Sequence, residues 1–77
     1  MTDLHAERVA SSARAEIARA NLSQSMVARH LRLSQQAISR RLTGKVTFDV
    51  VELKRLADLL GISVEVLIDG GQHKAAS

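Results

Sequence analysis

Residues 22 to 44 read Leu22-Ser-Gln-Ser-Met-Val-Ala-Arg-His-Leu-Arg-Leu-Ser-Gln-Gln-Ala-Ile-Ser-Arg-Arg-Leu-Thr-Gly44. Two short amphipathic helices are legible in this stretch. Ser23 suits an N-cap, where a hydroxyl oxygen accepts a free backbone N–H, and Val27, Ala28 and Leu31 follow as an apolar stripe, so a helix is expected over 24–31. Ser34 repeats the capping signal. Behind it Ile38 and Leu42, four residues apart, supply an inward face and leave Gln35, Gln36, Ser39, Arg40 and Thr43 pointing outward, with Gly44 as the stop. Over residues 22–45 the chain also carries Arg29, Arg32, Arg40, Arg41 and Lys45 without a single carboxylate.

On the N-terminal side, Ala6, Val9, Ala10, Ala13, Ile17 and Ala20 recur at helical spacing, which predicts a first helix over 4–20. Asp3 is placed to cap it and Asn21 to close it in a left-handed conformation. On the C-terminal side, Asp49 and Glu52 have the spacing of a capping box, and Leu53, Leu56, Ala57 and Leu60 follow at i, i+3, i+4 and i+7. Gly61 stops that helix. Ser63 then starts a last short one bearing Val64, Leu67 and Ile68. The expected fold class is all-α, a compact domain over residues 1–69 with a flexible C-terminal tail over 70–77.

Composition narrows the function. In 77 residues, 45% of them apolar, Phe48 is the only aromatic and there is neither cysteine nor proline. One core of Leu, Ile, Val and Ala is the ceiling at this length, and disulfides and thiolate metal sites are ruled out. A reducing cytoplasm is the expected setting, since the sequence shows no membrane-length apolar run and no signal-peptide core at its N-terminus. The net charge of +3 is unevenly spread. Residues 1–21 balance Arg8, Arg14 and Arg19 against Asp3, Glu7 and Glu16, and residues 46–77 set Asp49, Glu52, Asp58, Glu65 and Asp69 against Lys54, Arg55 and Lys74. All the net positive charge therefore lies in the middle segment, where a polyanion would dock.

The 22–44 run closely resembles the helix-turn-helix of phage lambda-type repressors, Cro proteins and the wider XRE family. Leu-Ala-Asp-Leu-Leu-Gly-Ile-Ser-Val-Glu-Val-Leu over 56–67 resembles the two helices that close the same domain. The resemblance implies a compact five-helix, lambda repressor-like DNA-binding domain, its helix-turn-helix at about 23–43, whose second motif helix enters the major groove; the handful of systems used to define this docking mode includes the family's phage members. It also implies residue roles. Gln35, Gln36, Ser39 and Arg40 fall where the family reads base edges; a glutamine amide pairs bidentately with adenine and an arginine with guanine, Arg40 being the strongest discriminator. Gln24, Ser34, Arg41, Thr43 and Lys45 fall where it meets the sugar-phosphate backbone. Two departures are visible. Arg32 replaces the glycine usual in the turn, so positive φ is expected at Arg32, and Ile17 with Leu42 replace an Arg–Glu pair between the first and third helices, so an apolar contact is expected there.

The function that follows is sequence-specific binding of double-stranded operator DNA by a short repressor or Cro-like regulator of phage, prophage or bacterial type. Homodimerisation through the last helix or the alanine-rich face of the first is a further expectation. A protein-interaction module of the same fold, such as an antitoxin or anti-repressor, is the alternative. No enzyme, cofactor, metal or small-molecule ligand is expected: His5, His30 and His73 lack metal-ligand spacing, and Asp49 with Glu52 is better read as a cap than as a catalytic acid pair.

Overall fold

The computed structural model describes residues 4–69; the expected cap at Asp3 and the tail over 70–77 lie outside them. Within that span the chain forms α1 (Leu4–Arg19), α2 (Gln24–Leu31), α3 (Gln35–Leu42), α4 (Val50–Leu60) and α5 (Val64–Asp69), with no strand among the described residues. The first helix ends one residue earlier than its periodicity predicts, because Ala20 has already joined the turn.

Side chains define the helix starts. Ser23 Oγ accepts the Met26 N–H at 3.1 Å and Ser34 Oγ accepts the Ala37 N–H at 3.0 Å. At α4 the capping box is complete: Asp49 Oδ1 accepts the Glu52 N–H at 2.7 Å, and Glu52 Oε1 accepts the Asp49 N–H at 3.0 Å. The ends share a different device. Asn21, Arg32, Gly44 and Gly61 all have positive φ, and after each of them the next N–H reaches back five residues: Leu22 to Ile17, Leu33 to Ala28, Lys45 to Arg40 and Ile62 to Ala57. Such Schellman closures satisfy carbonyls that the helix leaves open, and an apolar residue just beyond them tucks back on the core. Leu22, Leu33 and Ile62 do so. Arg32 adopts φ 60° and ψ 42°, as its place in the turn requires.

Packing sets the orientation of α3. The helix α1 packs on α5 and α3, while α2 packs on α3 and α4. Ala6, Ala10 and Ala13 are almost fully buried. Small side chains let helices approach closely, and here they seat α1 within the core. The alanine-rich face of the first helix is therefore internal, which removes it as a candidate dimer surface. Leu31, Ile38, Leu56, Leu67 and Val27 are the largest fully buried side chains, each stabilising the fold by about 1.5–3 kcal/mol relative to exposure. Ile17 and Leu42 join the same buried cluster, so apolar packing couples α1 to α3 as expected. Gly44 is held against α1: a Cβ there would lie 3.0 Å from Glu7 Cγ and 3.1 Å from Glu7 Cα. No helix among the described residues is long and apolar enough to cross a membrane.

Candidate nucleic-acid interface

With only two turns, α3 can bury only a narrow stripe, and Ile38 and Leu42 fill it. Helical geometry then turns Gln36, Ser39 and Arg40 to the outside, Gln35 stands free as the first residue of the helix, and all four are exposed. Three neutral hydrogen-bonding side chains and one guanidinium thus share the solvent side of a single short helix. That combination can read donor and acceptor patterns on base edges.

The surrounding residues differ in how free their donors are. Gln24 and Lys45 are exposed. Ser34 accepts from Ala37, which leaves its hydroxyl proton available. Thr43 donates its hydroxyl to Arg40 O at 3.1 Å. That carbonyl also accepts the Lys45 N–H at 3.0 Å and the Val46 N–H at 3.2 Å. The last turn of α3, which carries Arg40, is consequently the anchor of the loop that carries Lys45.

Arg41, expected from the resemblance at the sugar-phosphate backbone, is placed differently. Its Nε–H donates to Glu52 Oε1 at 2.8 Å and its Nη1 donates to Ala37 O at 3.0 Å. The two side chains are only 18% and 10% exposed. Removing charge from water is costly, and this pair offsets the loss by charge-assisted hydrogen bonds, with the same carboxylate oxygen also capping α4. The sequence expectation separated Glu52, read as a cap, from Arg41, read as a surface cation; in the folded chain they are one unit.

Arg14 is a residue the sequence reading did not single out. It lines an open groove of about 310 Å³ together with Ile17, Ala18, Leu22, Gln24, Ser39, Leu42 and Thr43. Its Nη1 donates to Leu42 O at the end of α3, where a cation complements exposed carbonyls and the helix dipole. Three of the groove residues, Gln24, Ser39 and Thr43, belong to the expected DNA-contacting set, and Arg14 is brought beside them only by the packing of α1 on α3. No periodicity or spacing in the sequence reports that adjacency.

A family model described as Helix-turn-helix matches residues 14–67, from the middle of α1 into α5. No curated protein matches the sequence. The match covers more than half of the chain, spans both the motif and the helices that close around it, and coincides with an exposed polar face on α3, so the chain belongs to the XRE/lambda repressor-like helix-turn-helix family of DNA-binding regulators.

Proposed function

We propose that this chain is a short repressor or Cro-like transcription regulator of phage, prophage or bacterial origin, acting in the cytoplasm by inserting α3 into the major groove of operator DNA. The observation that carries the reading is the solvent face of α3, where Gln35, Gln36, Ser39 and Arg40 stand together at the centre of a carboxylate-free cationic stretch. Arg40 supplies the main discriminating contact, to guanine O6 and N7, and the glutamines read adenine. Gln24 and the α2 N-terminus hold one phosphate, Ser34 and Lys45 hold others, and Arg14 adds a cation at the α1 edge of the groove. Arg41 acts from within, on the position of α3, and Thr43, exposed at the helix exit, ties the exit loop to α3 through its hydroxyl bond to Arg40 O. Occlusion of polymerase needs only occupancy of the operator, so no catalytic residue is called for.

Selection from random duplexes, followed by binding measured across a salt series, tests this reading. The expected result is an enriched sequence whose affinity falls linearly in log K against log salt, as counterion release requires. The alternative, a protein-interaction module such as an antitoxin or anti-repressor, draws on the exposed Val46, Val50 and Val51 beside the loop. Absence of enrichment, with binding indifferent to salt, would decide for it.

A further inference from the structure

We infer that Arg41 and Glu52 are positioning residues that fix the rotation of α3 about its own axis, and through it the aim of Arg40, Gln35 and Gln36; the inference rests on the DNA-binding reading of α3. With each residue advancing about 100° around a helix, Arg41 lies on one flank of the Ile38–Leu42 stripe while Arg40 lies on the opposite side of the helix. Two apolar residues four apart fix where a two-turn helix lies but constrain its roll weakly, because dispersion contacts are not directional. The Arg41 guanidinium is directional. It is planar, and it spans Ala37 O within α3 at 3.0 Å and Glu52 Oε1 on α4 at 2.8 Å.

The far end of the clamp is itself immobilised. Glu52 Oε1 accepts the Asp49 N–H, and Asp49 Oδ1 accepts the Glu52 N–H, so the carboxylate that receives Arg41 is locked into the first turn of α4. On the other flank of α3, Arg14 donates to the Leu42 carbonyl. Base-reading side chains need placement within about 0.5 Å and 10–20°. A part-buried fork between α3 and α4 is a means of meeting that tolerance with only two buried apolar residues on the helix.

The test uses the full chain, the duplex that wild type selects from a random library, and a second duplex altered at its most discriminated base pair. Arg41→Lys keeps the charge but cannot form the planar two-way fork. Glu52→Gln keeps an oxygen for the Asp49 N–H but loses the charge that strengthens the Arg41 bond. If the pair positions α3, both variants lower the ratio of affinities for the two duplexes by about fivefold or more, the low end of what one bidentate base contact is worth, with the salt slope unchanged. If Arg41 is instead a phosphate contact, the ratio stays at the wild-type value in both, and Glu52→Gln tightens binding to every duplex; that outcome overturns the inference. Amide exchange in the free protein supplies a readout without DNA. The clamp requires Glu52→Gln to speed exchange at residues 37–42 as well as at the start of α4, and acceleration confined to α4 overturns it. Should wild type select no duplex, the DNA-binding reading falls on its own, and the exchange pattern still decides whether α3 is clamped.

Discussion

Asn21, Arg32, Gly44 and Gly61, which have positive φ, test how much backbone strain this small fold carries. Arg32 sits at φ 60° where a glycine would be unstrained, so Arg32→Gly is expected to raise stability by up to about 1 kcal/mol in chemical denaturation. Gly44 and Gly61 separate two effects that are usually confounded. Both are left-handed, but nothing lies within 4 Å of a Cβ at Gly61, whereas one at Gly44 meets the Glu7 backbone. Gly61→Ala should cost about 1 kcal/mol, the backbone penalty alone, and Gly44→Ala roughly 2–4 kcal/mol because α1 must also shift. Equal losses would mean that α1 yields freely at Glu7. On the DNA side, Arg40→Ala is expected to reduce discrimination at one or two base pairs by about 1–3 kcal/mol, while Lys45→Ala weakens all sequences alike and lowers the salt slope by about one. Competition binding against single-base variants distinguishes the two; matching small losses would remove the division of labour between them.

Among the helices, α3 is one that cannot stand without its neighbours. It is eight residues long, too short to persist alone in water, so its stability comes from packing and from its ends. Ser34→Ala removes the Oγ that accepts the Ala37 N–H, and a loss of about 1 kcal/mol is expected in thermal or chemical unfolding. Leu42→Ala should cost about 2–5 kcal/mol, since Leu42 joins α1 to α3 in the core. Which features could be read from the sequence follows from how local their causes are. Caps at Ser23, Ser34 and Asp49, the left-handed closure at Asn21 and the Ile38–Leu42 stripe all act within a few residues, so residue type and spacing expose them, whereas the left-handed turn at Arg32 is legible only through the family resemblance, which has glycine there. The Arg41–Glu52 pair spans eleven positions and two helices, and the Arg14 contact with Leu42 O spans twenty-eight. Neither obeys any period. Arg41 reads as a surface cation and Arg14 as an ordinary helix charge until α4 and α1 are folded against α3. The alanines of α1 misled for a related reason: a small-residue face is equally suited to a subunit contact and to close packing in the core, and only the third dimension decides.

At the scale of the whole molecule, the question is how one domain with so few contacts achieves operator affinity. A pair of domains on two half-sites is the expected answer, with recognition helices about 34 Å apart to match one turn of duplex. Because the alanine face of α1 is buried, α5 is the remaining surface among those the sequence suggested. Val64 and Val66 are partly exposed there and Ile68 is 36% exposed. That is a small apolar surface, well below what a stable dimer interface requires. The expected behaviour is therefore a monomer in dilute solution that pairs on DNA, where the duplex holds two copies at high effective concentration. Sedimentation of free protein should give the mass of one chain, and titration of a selected two-half-site duplex should saturate at two chains per duplex with positive cooperativity. Ile68→Asp places a charge in the contact without touching α3. It should abolish the cooperativity while leaving affinity for a single half-site within about twofold, the scale of an ordinary surface substitution. A variant that binds both half-sites as cooperatively as wild type would show that α5 is not the contact, and that the two copies either meet elsewhere or communicate through the bending of the DNA between them.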